Sequence, residues 1–126
     1  DINNTEIYDA SVVVLNYTLQ FVPAEMRSAL LSKVYNGMRE GGALVLSEKI
    51  ALGHRDDDAL FTRLHHRFKK ANGYSDLEVS QKREALENVL VPESIQQHRE
   101  RLLGCGFRRV ETWFQCFNFA SMIAIK

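Results

Sequence analysis

The sequence has little cysteine and proline, no long apolar run and no excess of either charge. Its two cysteines, Cys105 and Cys116, are too few for a disulfide framework, which favours a reducing compartment such as the cytoplasm. The longest apolar stretches, such as residues 11–15, fall far short of the roughly 20 residues that a membrane span requires. Lysine plus arginine equals aspartate plus glutamate at 16 each, so no overall field attracts nucleic acid or an acidic membrane.

What is present is the composition of an ordinary globular protein. Of the 126 residues, 45% are hydrophobic and 25% are charged, which is enough for one core. The chain starts at Asp1 without a methionine and runs within ten residues into an apolar strand pattern. We therefore expect residues 1–126 to be part of a single domain that was cut from a longer one.

The first half of the chain has the pattern of a βαβ unit. Residues 11–15 form a β-branched run without polar alternation, which is typical of a central strand buried on both faces. Pro23 can open an amphipathic helix, and Gly41 with Gly42 is predicted to end it. Residues 43–47 then form a second buried strand. Such units belong to parallel sheets with helices on both faces.

The second half predicts a helical insertion followed by an antiparallel hairpin. Residues 55–91 have helical periodicity, and Ser75 and Glu78 have the spacing of a capping box that starts a new helix. After a last helix, residues 110–116 and 119–125 are strand-like and too close together for a crossover, so we pair them antiparallel. The predicted fold class is therefore α/β.

Two polar residues follow the buried runs, where open parallel sheets bind ligands. Asn16 follows the first run, and it is either a turn residue that bonds its own backbone or a ligand contact. Glu48 follows the second run, and it is either a structural carboxylate or a catalytic one. No residue of the sequence stands out as a general base.

Arg83 lies on the predicted apolar stripe of its helix, together with Val79 and Leu86. A buried guanidinium needs a partner, and its planar fork matches a carboxylate with two parallel bonds. Either a protein acid or an anionic ligand should therefore face Arg83. The alternative is an arginine whose stem packs while its head reaches solvent.

The basic segment 63–70 could be an RNA-contacting patch, but its apolar members fall on the helix stripe and its charges on the opposite face. We therefore expect a solvated face and no direct contact with nucleic acid. His65 and His66 point about 100° apart on a helix, without a carboxylate or cysteine at metal-ligand spacing. No metal site is expected.

Several segments together resemble one enzyme family. Gly41-Gly42 and the apolar strand after it resemble an element of S-adenosylmethionine-dependent methyltransferases, with Glu40 where proline is usual. More specific segments are Val14–Phe21 (VLNYTLQF), Leu44–Lys49 (LVLSEK), Lys70–Ser75 (KANGYS), Ser80–Arg83 (SQKR) and Trp113–Phe119 (WFQCFNF). Over residues 1–126 they resemble the carboxy-S-adenosyl-L-methionine synthases, bacterial enzymes that supply a carboxymethyl donor for wobble-uridine modification in tRNA.

The resemblance implies a fold, ligands and site residues. The fold would be the C-terminal half of a Rossmann-like, seven-stranded methyltransferase domain with a mostly parallel sheet. Its ligands would be S-adenosylmethionine and carboxy-S-adenosylmethionine, with Asp1 and Ile2 at the adenine, Asn16 beside the donor and Arg83 on the added carboxylate. Prephenate would supply carbon dioxide and leave as phenylpyruvate, and the protein would be a homodimer.

Two other functions stay open from the sequence. One is a methyltransferase that uses S-adenosylmethionine to modify tRNA or a small molecule. The other is a non-catalytic, dimerising fragment, since the family's Gly-rich loop and ribose-binding acid have no counterpart in these 126 residues. We expect the isolated fragment to be inactive for the same reason.

Overall fold

The computed structural model describes residues 2–87 and 89–126, so Asp1 lies outside the described residues. Its strands are β1 (Ala10–Asn16), β2 (Met38–Lys49), β3 (Arg109–Cys116) and β4 (Phe119–Ile125). Its helices are α1 (Ala24–Gly37), α2 (Arg55–Ala71), α3 (Asp76–Glu87) and α4 (Ile95–Gly104). Short 3-10 turns occupy Ile2–Asn4 and Leu19–Phe21.

The described strands form one mixed sheet in the order β1-β2-β4-β3. β1 and β2 are parallel, with Asn16 opposite Ser47, and α1 connects them, which confirms the predicted βαβ unit. β4 is antiparallel to both β2 and β3, which confirms the predicted terminal hairpin. The chain is therefore an α/β protein in which only the β1–β2 pairing is parallel among the described strands.

The core lies on one face of the sheet. Residues Leu15, Leu44, Leu46 and Met122 point from the strands towards α1 and α4, and all are nearly or fully buried. The other face is open, because Val12 and Val14 are 59% and 54% exposed. Within the described sheet β1 is therefore an edge strand with one open face, and the prediction that residues 11–15 form a central strand covered on both faces is not met there.

The helix before β2 ends at Gly37 and not at Gly41 with Gly42 as predicted. α1 ends at Gly37, where a side chain would lie 2.3 Å from the carbonyl oxygen of Ile7, so the chain before β1 can cross only a glycine. Gly41 lies inside β2 at φ +76°, a conformation that glycine adopts without strain. The register of β1 on β2 shifts at this irregularity, so Gly41 interrupts the strand instead of ending the helix.

The helical insertion forms as predicted, but it stands away from the core. The Ser75 amide donates to Glu78 Oε2 at 2.8 Å and the Glu78 amide to Ser75 Oγ at 3.2 Å, which confirms the capping box. Within described residues, Val79 alone is buried on α3, and Leu86 and Arg83 are exposed. Arg83 therefore does not lie on a buried stripe, because α3 packs mainly against α2.

None of the described helices is both long and apolar enough to cross a membrane.

Candidate functional site

The loop after β1 is fastened to the end of β2. The Tyr17 amide donates to the Ser47 carbonyl at 2.7 Å, and Thr18 Oγ donates to the Asn16 carbonyl at 3.0 Å. Tyr17 has φ +51°, a left-handed conformation that costs a non-glycine residue free energy. The loop therefore holds Tyr17 in a strained position at the carboxyl ends of the two parallel strands, where such sheets bind ligands.

Glu48 is the anchor of that loop. Its side chain is fully buried, and its two oxygens accept from the backbone amides of Thr18 at 3.3 Å, Leu19 at 2.9 Å and Gln20 at 3.2 Å. Burial raises the pKa of Glu48, and the three backbone hydrogen bonds with the charge of Arg27 offset part of that rise. Of the two roles left open by the sequence, the geometry supports the structural one.

A cavity of about 550 Å³ opens beside this loop, between the strand ends and the α2–α3 hairpin. Its volume suits a small organic ligand. Its charged lining consists of Lys49, Lys69, Lys82 and Arg83, and no described aspartate or glutamate lines it. The remaining lining residues are Tyr17, Gln20, Phe21, Thr62, His65, His66, Val79, Leu86, Leu90, Pro92 and Phe119.

The cations of the cavity influence one another. Burial and the charges of Lys69 and Arg83 lower the pKa of Lys49, with Asp58 acting weakly in the opposite direction. Burial and the charges of Lys69, His66 and Lys49 lower the pKa of His65 to about 4, so its imidazole is neutral at physiological pH. The cavity therefore has a high local positive charge, and a bound anion would lower the repulsion between its cations.

An aromatic wall closes one side of the cavity. The Phe119 ring meets the rings of His65 at 4.8 Å and of Tyr17 at 5.8 Å between centroids, and Phe117 meets Phe68 at 5.6 Å. Phe117 lies at the tip of the β3–β4 hairpin with φ +51°. The hairpin tip thus packs against α2 and fixes the distance between the helix and the strand ends.

A buried ion network lies behind the loop. Arg27 is fully buried, and its Nη1 lies 2.6 Å from Glu93 Oε2, at an angle that makes the contact an ion pair more than an aligned hydrogen bond. Arg101 donates to both oxygens of Glu93 at 2.6 and 2.5 Å. Arg27 also donates through Nε to the Val22 carbonyl at 2.8 Å. The sequence analysis missed this network, whose members are far apart along the chain.

Of the predicted site residues that the structure describes, Arg83 lines the cavity and Asn16 and Ile2 do not. Arg83 lines the cavity, and its exposed side chain pairs with no described carboxylate, which is compatible with an anionic ligand and with a head that reaches solvent. Asn16 ends β1 next to the cavity-lining Tyr17 without lining the cavity itself. Ile2 packs against the core, and Asp1 lies outside the described residues. Lys49 and Lys69 were not singled out from the sequence.

A second, larger groove of about 840 Å³ is a weaker candidate for a ligand-binding site. It lies at the amino ends of β1 and β2, where Asp9 and Met38 line it, and ligands of open α/β sheets bind at the opposite edge. Within the described residues, no group of three or more histidine, cysteine, aspartate or glutamate side chains could hold a metal ion.

Comparison with known structures supports the fold. The chain superposes over its full length on about a third of an O-methyltransferase family 2 protein from Planctomyces limnophilus, at TM-score 0.67 and 16% identity. It superposes equally on 32% of human N-acetylserotonin methyltransferase in complex with SAM, at TM-score 0.66 and 15% identity. These likenesses show part of a methyltransferase fold. No family model matches the chain.

Sequence comparison is more specific. All 126 residues align at 59% identity with a carboxy-S-adenosyl-L-methionine synthase of Haemophilus ducreyi and at 60% with that of Pasteurella multocida. The chain spans 52% of the length of each, so it covers about half of these relatives. Because well over half of its residues are identical along its whole length, the chain is a homologue of the carboxy-S-adenosyl-L-methionine synthases and corresponds to their C-terminal portion.

Proposed function

We propose that the chain is the C-terminal part of an enzyme that converts S-adenosylmethionine and prephenate to carboxy-S-adenosylmethionine and phenylpyruvate. The product would serve the wobble-uridine modification of tRNA in the cytoplasm. The proposal rests on the activity for which relatives that share about half their length with the chain are named. The observation in the structure that carries it is the cavity of four cations without a described carboxylate, at the strand ends where a donor would bind.

The charge of the cavity favours a carboxyl-transferring enzyme over a methyltransferase. The sulfonium centre of the donor is itself a cation and gains nothing from lysine and arginine neighbours. A carboxylate on the transferred carbon, or on the substrate that supplies it, gains charge-assisted hydrogen bonds from them. A methyltransferase that acts on a neutral small molecule would not need this arrangement.

The residues of the chain would act by positioning and by excluding water. No described acid lines the cavity, so none of the described carboxylates is placed there as a general base. Decarboxylation of prephenate to phenylpyruvate releases carbon dioxide and hydroxide. The hydroxide would take a proton from the sulfonium methyl group and leave as water, and the resulting ylide carbon would form the new bond to the carbon dioxide. Glu48 would hold the donor-side loop, and the aromatic wall of Phe119 and its neighbours would shield the reacting carbon.

Replacing Arg83 by alanine tests the assignment. Arg83→Ala is expected to weaken binding of carboxy-S-adenosylmethionine by about 10- to 100-fold, because a charge-assisted carboxylate contact is lost, and to leave S-adenosylmethionine binding nearly unchanged. Calorimetry with both ligands would measure this on the chain fused to the remaining half of a relative. That fusion supplies the donor-binding residues that we expect the isolated chain to lack.

The control variant for this experiment is Arg63→Ala. Arg63 is exposed on α2 and does not line the cavity, so its loss removes the same charge without the contact. Equal loss of both ligands in Arg83→Ala, or no loss of either, would contradict the role of Arg83. Tight donor binding by the isolated chain would contradict its expected inactivity.

We also propose that the protein is a homodimer that pairs through α2. Leu60, Leu64 and Phe68 expose 42%, 37% and 54% of their surface on one face of this helix. The first turn of α2 is acidic and its last turn is basic, so two copies packed antiparallel about a two-fold axis would match opposite charges. The open apolar face and the charge pattern together fit a second copy of the chain.

Sedimentation velocity tests the dimer. The double variant Leu60→Glu with Leu64→Glu is expected to sediment as a monomer, because it introduces like charges into the interface. Leu103→Glu, at an equally exposed leucine on α4, is expected to stay dimeric. A monomeric unmodified protein, or a dimeric double variant, would rule out pairing through α2.

A further inference from the structure

The cavity carries more positive charge than the contact proposed for Arg83 can use. One carboxylate on the transferred carbon would neutralise Arg83, and Lys82 already stacks on the Tyr74 ring at 4.8 Å from its centroid. Lys49 and Lys69 remain, and neither forms an ion pair with any described carboxylate. Both side chains are half-buried, so bulk water compensates their charge only in part.

The two lysines approach the cavity from different walls. Lys49 is the last residue of β2, and its backbone amide donates to Gln20 Oε1 at 2.9 Å, which fixes it to the loop after β1. Lys69 comes from the last turn of α2, which packs through Phe68 and His65 on the β3–β4 hairpin. Both anchors belong to packed parts of the fold, so the cavity presents two positioned cations.

Such an arrangement of cations raises the electrostatic free energy of the folded protein unless a bound anion compensates their charge. Lys49, Lys69 and Arg83 repel one another across a partly desolvated space, and the same charges act on His65 and His66. Lysine and arginine side chains that do not bind a ligand are usually paired with acids or exposed to solvent. Uncompensated charge in a cavity is more typical of a ligand-binding site than of a structural one.

The other lining residues indicate which kind of ligand would fit the cavity. Tyr17, Phe21 and Phe119 supply aromatic surface, and Leu86 and Leu90 supply aliphatic surface. A ligand that satisfies both parts has a small apolar or ring-shaped body and two separate carboxylates. The cavity volume of about 550 Å³ leaves room for such a molecule beside the carboxylate of the donor.

We infer that Lys49 and Lys69 bind the two carboxylates of a dicarboxylic co-substrate and so select it over a monocarboxylate. The inference rests on the proposed function, in which prephenate is a ring-bearing dicarboxylate and phenylpyruvate, its product, has one carboxylate. Loss of one carboxylate during the reaction removes one of the two contacts. The same pair of lysines thus favours binding of the substrate and release of the product.

Calorimetric titration of the 126-residue chain with prephenate and with phenylpyruvate tests this selection. Lys49→Met and Lys69→Met are each expected to weaken prephenate binding about tenfold and to abolish the preference over phenylpyruvate, because each removes one charge-assisted contact. Methionine fills the space of the lysine stem. Lys49→Arg keeps the charge and is expected to retain most of the affinity.

Lys70→Met is the matched control, because Lys70 is adjacent to Lys69, pairs with Asp76 and does not line the cavity. It is expected to change prephenate affinity less than about twofold. Unaltered prephenate binding in Lys49→Met and Lys69→Met, an equal effect of Lys70→Met, or no prephenate binding by the unmodified chain would each overturn the inference.

The outcome also separates this inference from the proposed function. Lysine-dependent prephenate binding, without any binding of carboxy-S-adenosylmethionine by the fusion, would retain the lysine site and reject the synthase assignment. Arg83-dependent donor binding without lysine-dependent prephenate binding would do the reverse.

Discussion

Glu93→Ala is expected to lower the free energy of unfolding by about 3–5 kcal/mol, because it leaves the buried charge of Arg27 without its acid. Arg27 has no exposed surface, and only 10% of the Glu93 side chain is exposed. The network also joins the loop after β1 to α4, since Arg27 donates to the Gln20 carbonyl at 3.3 Å and Arg101 holds Glu93 from the helix. Urea unfolding followed by circular dichroism would measure the loss.

The pH dependence gives a second measurement of the same network. Burial would raise the pKa of Glu93, but the contacts and charges of Arg101 and Arg27 outweigh it and lower the pKa to about 2 from an ordinary 4.5. A lowered pKa in the folded state means that the contribution is complete above pH 4.5 and is lost as the pH falls towards 2. The stability difference between the unmodified protein and Glu93→Gln should therefore shrink over that interval.

Glu100→Ala is the control for Glu93. Glu100 lies on the exposed side of α4, where it accepts only from Gln96 Nε2 at 2.7 Å. Its removal is expected to change stability by less than about 0.5 kcal/mol. A loss in Glu93→Ala no larger than in Glu100→Ala would show that the buried ion network does not stabilise the fold.

Glu48→Ala is expected to lower the free energy of unfolding by about 2–4 kcal/mol and to release the loop after β1. The variant leaves the amides of Leu19 and Gln20 buried without an acceptor. The free-energy cost of these unpaired amides exceeds the desolvation penalty that is removed together with the buried carboxylate. Without those bonds, the strained backbone of Tyr17 is free to relax. Hydrogen exchange of the amides of residues 18–20 should accelerate more than that of β2.

Glu48→Gln separates loop anchoring from charge. The amide keeps one oxygen for Thr18 and Leu19 but turns an NH2 group towards the Gln20 amide, so we expect an intermediate loss of stability and of exchange protection. Glu40→Ala is the control, because Glu40 is an exposed acid of β2 that lies 3.9 Å from Arg108 and from Lys126. Unchanged exchange at residues 18–20 in Glu48→Ala would show that Glu48 is not the anchor of the loop.

The sequence alone predicted those features whose causes lie within a few residues of one another. The capping box joins Ser75 to Glu78 across three positions, and the β3–β4 hairpin follows from two strand-like runs separated by two residues. Local periodicity also predicted the βαβ unit. Motifs of the same short range carried the resemblance to the synthases, which the comparisons confirmed.

Burial and partnership needed the tertiary structure, because they depend on residues that are distant in the chain. A β-branched run specifies a strand but not what covers it, so β1 was assigned a central position and is an exposed edge. Helical periodicity placed Arg83 on an apolar stripe, but whether a stripe is buried depends on what the helix packs against, and α3 stands away from the sheet.

Amino-acid order thus determined most of the helices and strands and the resemblance to the synthases. Folding alone decided that Glu48 anchors a loop 28 to 30 residues away and that Arg27 meets Glu93. It also brought Lys49, Lys69 and Arg83, from a strand and two helices, to one cavity. The physical reason is that hydrogen-bond and Coulomb energies depend on distance in space, which sequence separation does not measure.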